Sequence, residues 1–238
     1  MDPARQLATY AQLLSLPADQ RAEVILGTVT VMPAPLPRHS RVQRSSAGSI
    51  GVPFDDDDGS GGLGGRWILL EVDIELSPHD VVRPDLSGWL RNRLPAPWDQ
   101  RPLTVRPDWV CEIVSPSHAA HDRITKRKLY ASHGVPFYWI VDPAERTLEA
   151  LRLEQGRWVE AGSYDARATA RTAPFDAVEL DLSRVSLPLE VRCGPAHACS
   201  PPLLWRKTAP ATSDMRADLR VTAGYFCLVL APTKKMYD

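Results

Sequence analysis

The sequence predicts a mixed fold of the α/β (α+β) class, a central mixed β-sheet flanked by helices. Three observations predict it. Twenty-two prolines spread over 238 residues exclude a long-helix bundle, because each removes a backbone donor and breaks a helix interior. Short apolar runs with strand period recur along the chain. Between residues 109 and 141, strand, helix and strand follow one another, the order of a βαβ unit with a parallel pair.

Taken in order, residues 9–16 read as a short first helix stopped by Pro17, and residues 22–32 (AEVILGTVTVM) as a strand or hairpin. A helix is expected over 39–50. Residues 55–65, DDDDGSGGLGG, combine like charges with glycine and read as a mobile loop. Residues 66–77 (RWILLEVDIELS) predict one long strand, followed by a proline-bounded, strand-like segment around Asp85 and a loop through Pro95, Pro97 and Pro102. The near-continuous apolar run at 109–114 (WVCEIV) predicts a strand buried on both faces. A polar helix follows over 120–133, closed by Gly134 as its cap. Residues 137–141 (FYWIV) form the next buried strand, and 147–153 and 157–161 two more, joined by a turn at Gly156.

Length suits one domain, placed at residues 1–187. Residues 188–238 show neither helical nor strand period. They read as an unmatched tail, disordered or produced by a frame change, with a docked C-terminal strand as the alternative. Formal charge is −1, but residues 189–238 hold seven Lys/Arg against four Asp/Glu, leaving −4 for residues 1–188. The domain is therefore no general basic binder of nucleic acid; positive charge must be gathered locally or supplied by metal. The four cysteines include no C-x-x-C pair, which argues against a disulfide framework or zinc site. With no apolar run of about 18 residues and no signal-like start, the expectation is a soluble cytoplasmic protein without a membrane segment.

The chemistry rests on two carboxylates and a lysine. Asp85 follows Pro84, and Glu112 sits inside the apolar run VCEIV, where a charge costs several kcal/mol unless a cation or donors meet it. Asp85, Glu112 and a backbone carbonyl such as that of Ile113 would make an oxygen-only site of the kind Mg²⁺ or Mn²⁺ prefers. Such an ion activates water and stabilises charge on a phosphoryl oxygen, so phosphodiester hydrolysis is the natural reaction. Asp122, Lys126 and Tyr130 recur every four residues and share one helix face. Lys126 could assist there; equally, Asp122 could cap the helix, Lys126 be exposed and Tyr130 pack.

Other signals are weaker. Asp55–Asp58 reads as a solvated loop, and GSGGLGG lacks the Lys-Ser/Thr of a phosphate-binding loop. His118 and His121 form H-x-x-H without a third ligand nearby. Glu71 and Glu75, on one face of a single strand, read as exposed charges, with one of them joining the site as the alternative, and the tryptophans as packing rather than a base-stacking platform.

The segments RAEVILG (21–27), PRH (37–39), RPDLSGW (83–89), RPDWVCEIVSPS (106–117), DRITKRKLY (122–130), GVPFYWIVDP (134–143) and PFDAVELDL (174–182), in this order and spacing, resemble the Uma family of bacterial restriction endonucleases, within the PD-(D/E)XK nuclease superfamily. The resemblance implies a restriction-endonuclease-like core and a Mg²⁺-dependent DNA endonuclease, with Asp85 and Glu112 as metal ligands. Where a standard member has lysine two residues after the second acid, this chain has Val114. The family's lysine on the following helix corresponds to Lys126, with Lys128 as a fallback. Glu23 would be an accessory acid, His39 would line the cleft, and Tyr130 would support the site from behind. The family usually ends soon after the DL segment, whereas this chain continues. The alternative is a catalytically silent nuclease-fold protein that binds nucleic acid or a protein partner. A homodimer is expected of an enzyme that cuts both strands.

Overall fold

A computed structural model describes residues 7–17, 19–55, 63–115 and 120–183. The tail 188–238, most of the acidic glycine-rich loop and His118 lie outside the described residues. The described elements fall within one compact unit.

Two sheets carry the fold. The larger has six strands in the order β10-β9-β8-β7-β6-β3: β3 (Arg66–Leu70), β6 (Leu86–Leu90), β7 (Trp109–Ile113), β8 (Phe137–Asp142), β9 (Thr147–Glu154) and β10 (Arg157–Asp165). Only β7 and β8 pair in parallel, so the sheet is mixed, as predicted. The smaller is antiparallel in the order β2-β1-β5-β4: β1 (Arg21–Ile25), β2 (Thr28–Met32), β4 (Ile74–Ser77) and β5 (Asp80–Val82). A two-stranded ladder joins Thr169–Ala170 to Leu180–Asp181. Helix α1 spans Tyr10–Leu14, α2 Pro37–Phe54 and α3 Arg127–Ser132, the last preceded by a π-helical turn at His121–Lys126.

Strand alternation sorts β7 between two cores. Trp109, Cys111 and Ile113 face α2, packing with Val42, Ile50, Phe54 and Phe175. Val110 and Val114 face the other way, into a core that holds Leu129 and Tyr130 of α3, Tyr138, and Ile25 and Val82 of the smaller sheet. Glu112 shares parity with Val110 and Val114 and so points toward α3. The hairpins form as expected. Gly156, at φ +75°, follows Gln155 at φ +48°, and this pair of left-handed residues matches the twist of β9 and β10.

Three expectations are corrected. The predicted long strand over 66–77 is two strands in different sheets, broken at Glu71, whose φ of +51° turns the chain. Glu71 and Glu75 therefore do not share a strand. Instead, Glu71 pairs with Arg21 at 3.0 Å. The helix expected over 39–50 is longer at both ends, with Pro37 in its first turn, where a missing N–H costs nothing, and Pro53 in its last. The helix expected over 120–133 opens with the π-helical turn. No helix among the described residues is long and apolar enough to cross a membrane.

Candidate active site

Five elements bring the predicted residues into one cleft of about 230 Å³: Glu23 from β1, His39 from α2, Asp85 from the β5–β6 connection, Glu112 and Ile113 from β7, and Asp122 and Lys126 from the π-helical turn. Its outer lip is the Pro33–Leu36 stretch between β2 and α2.

Asp85 is held from several sides. One carboxylate oxygen accepts the Ile113 amide at 2.7 Å, and the other lies 3.1 Å from His39 Nε2. Gln43, one turn along α2 from His39, donates to the Asp85 carbonyl at 3.1 Å and to Glu71 at 3.0 Å. Glu23 fixes the chain two residues earlier by accepting the Arg83 amide at 2.7 Å. The aspartate, in the connection between β5 and β6, thus has its backbone and side chain both restrained.

Lys126 is 2 % exposed, and its ammonium donates at 3.0 Å to both Glu112 and Glu23. Tyr130 Oη donates to the same Glu112 oxygen at 2.6 Å. This overturns the reading of Lys126 as an exposed partner and Asp122 as a cap; both are buried, on the inward side of the helix. Lys128 is exposed and plays no part in the cleft. Val114, where a standard member has its lysine, is buried in the apolar core.

The electrostatics are one-sided. Four carboxylates, those of Glu23, Asp85, Glu112 and Asp122, surround a single ammonium; the two guanidiniums that also line the cleft, Arg21 and Arg83, are paired with other acids, Glu71 and Asp73. Burial pushes Glu112 well above the usual carboxylate range; Lys126 opposes this, while Asp85, Asp122 and Glu23 add to it. Asp122 is pushed up to about 6, chiefly by burial. Burial disfavours the Lys126 charge, but the surrounding carboxylates outweigh it and hold the ammonium protonated. His39 is raised because its contact with Asp85 outweighs burial.

A hard divalent cation fits this donor set. The cleft is lined by oxygen donors and carries more negative charge than Lys126 neutralises. Glu23 Oε2 and His39 Nδ1 are buried without a hydrogen-bond partner among the described residues. No three acidic, histidine or cysteine side chains among the described residues stand close enough to cage an ion unaided. That agrees with Mg²⁺, which keeps several waters and binds through one or two carboxylates.

Sequence reasoning missed Gln43, and it reached Glu71 only as a strand charge that could join the site. It also missed Arg83, which lines the cleft and pairs with Asp73 at 2.6 Å.

Comparison with known proteins bears on the family and the fold. The family model described as "Putative restriction endonuclease", Uma2, matches residues 7–183. Among solved structures, one described as a "putative nuclease belonging to DUF820 from Anabaena variabilis" superposes with a TM-score of 0.60 at 22% identity, over 75% of this chain and 97% of that one. It supports the restriction-endonuclease-like fold. No curated protein gives a significant match. With more than half of its length matched by the family model, the chain belongs to the Uma2 family, described as "Putative restriction endonuclease".

Proposed function

We propose that the chain is a Mg²⁺- or Mn²⁺-dependent DNA endonuclease of the PD-(D/E)XK type. The observation that carries this reading is the buried excess of carboxylates around Lys126, an arrangement that is costly without a cation and pointless for packing. Asp85, Glu112 and the Ile113 carbonyl would hold the ion. When bound, it supplies an activated water and neutralises charge developing on the scissile phosphate.

The chain's own residues perform the remaining work. His39 and the Ile113 amide orient the Asp85 carboxylate, leaving little freedom for it to rotate away. Lys126 is fixed by Glu23 and Glu112 through two of its three N–H bonds, and the third can steady the attacking water or a phosphoryl oxygen. Asp122, near neutrality at about 6, can accept a proton from that water. Tyr130 holds Glu112 against rotation from behind. Cutting both strands takes two such sites, so the proposal includes a homodimer as the double-strand-cutting form.

The test is cleavage of supercoiled and linear DNA with Mg²⁺ or Mn²⁺ by the purified chain and by Asp85→Ala. Metal-dependent nicking absent from the variant supports the proposal. Equal activity in both preparations, or binding without cleavage by the parent under all metals, refutes it.

A further inference from the structure

We propose that the exposed arginine ridge of α2, formed by Arg38, Arg41 and Arg44, grips the phosphate backbone of duplex DNA. The proposal rests on the nuclease reading and names the surface that reading needs.

The ridge stands out by its charge. Over eighteen residues α2 carries three arginines and no acid, in a domain whose net charge is −4 over residues 1–188. Many other arginines are occupied by acids: Arg21 by Glu71, Arg83 and Arg101 by Asp73, Arg93 by Asp108, Arg123 by Asp142. Among the described residues no acid pairs with Arg38, Arg41 or Arg44. Arg41 reaches only the Ser45 hydroxyl. All three are exposed. Like charges three residues apart on a helix repel, so this spacing does not serve helix stability.

Position ties the ridge to the site. The inward row of the same helix, His39 and Gln43, engages Asp85, while Val42, Ser46, Ile50 and Phe54 anchor it on the sheet. One rigid helix therefore bears the cleft contact on its inward face and the arginines on the opposite, outward face, so backbone grip and cleft are linked through α2 itself. Steps of three residues rotate by about 300°, so the three arginines stay within an arc of about 120°, and their six-residue span covers ~9 Å. That length matches two or three phosphates of one strand. Guanidinium is suited to this partner, since its planar donor fork meets phosphate oxygens in pairs.

Binding of a fluorescein-labelled duplex, followed by anisotropy across a KCl series in EDTA to prevent cleavage, tests the assignment. The full chain is compared with R38Q/R41Q/R44Q, with R38K/R41K/R44K and with R157Q on the β9–β10 hairpin. Thermal melts confirm that each is folded. Each lost phosphate contact flattens the slope of log K against log salt by about 0.9, so the glutamine triple variant should lose about 2.7, the lysine triple variant should keep the parent's slope, and R157Q should not differ from the parent. An unchanged slope in the glutamine variant overturns the ridge, as does a parent that binds no duplex at low salt or an equal loss in R157Q. Asp85→Ala, which leaves the ridge intact, separates the two readings: DNA binding with the predicted slopes but no metal-dependent cleavage by the parent upholds the ridge and refutes the nuclease.

Discussion

Asp122→Asn should make the protein more stable at neutral pH, and the structure sets the size of the gain. The side chain is 5 % exposed and carries a pKa of about 6 against an ordinary 3.8; burial is the main cause, Asp85 and Glu23 add to it, and Lys126 and His39 oppose it. Between these values the folded chain keeps a proton that the unfolded chain has released. Stability therefore falls as pH rises through this window, and above about 6 the full cost is present. Two pKa units at 1.36 kcal/mol each give about 3 kcal/mol. Asparagine has nearly the same shape and no charge to desolvate, so it escapes this cost. Urea unfolding of both proteins at about pH 4 and about pH 7.5 isolates the effect, because slopes from other carboxylates largely cancel in the difference. The variant should gain about 3 kcal/mol on the parent across the window. A parallel pH dependence in the two proteins would refute the account of a buried, uncompensated carboxylate. Saturating Mg²⁺ should flatten the parent's curve, since a nearby cation restores the charged form.

Lys126→Met leaves Glu23 and Glu112 buried without their cation and should cost about 3–5 kcal/mol in urea unfolding, with loss of metal-dependent cleavage. Tyr130→Phe removes a 2.6 Å donor to the Glu112 carboxylate; it should cost about 1.5–3 kcal/mol and reduce cleavage less than Lys126→Met does. His39→Ala releases one Asp85 oxygen, and metal titration of cleavage should shift its half-saturation upward by about 10–100-fold.

The strands were legible where burial on both faces removed ambiguity. Residues 109–114 and 137–141 read as buried strands from apolar content alone, and their parallel pairing followed from the helix between them. The break at Glu71 was not legible. Leu69 to Asp73 contains no glycine or proline, and a non-glycine residue at φ +51° leaves no local signature. Its consequence is large: β3 and β4 separate into different sheets, and Glu71 becomes free to reach Arg21 and Gln43. The site residues were legible as types, through an acid inside an apolar strand and a four-residue repeat on a helix. Their convergence was legible only through the family resemblance, which put Glu23 beside the two acids and His39 in the cleft; no local pattern encodes it, because Glu23 and His39 lie 60 or more and 40 or more residues before Asp85 and Asp122.

The displaced lysine follows from the way β7 is covered. Val110, Glu112 and Val114 share one face of the strand, and that face lies beneath Leu129 and Tyr130. A lysine at position 114 would have to replace a buried valine in this apolar core. The overlying helix offers another route to the same carboxylate. Asp122, Lys126 and Tyr130 all reach inward, and Lys126 arrives 3.0 Å from Glu112. The π-helical turn over His121–Lys126 is the local departure from α geometry that accompanies this inward placement, in keeping with the frequent occurrence of such turns at functional sites. A position two residues beyond the acid can therefore be apolar without the site losing its cation. It follows that Val114→Lys should not rescue Lys126→Met: the new ammonium would enter the core beside Val110 and Tyr138, and the double variant should be less stable in urea than Lys126→Met alone. Restored cleavage in the double variant would show that the strand and helix positions are interchangeable, and the packing argument would fail.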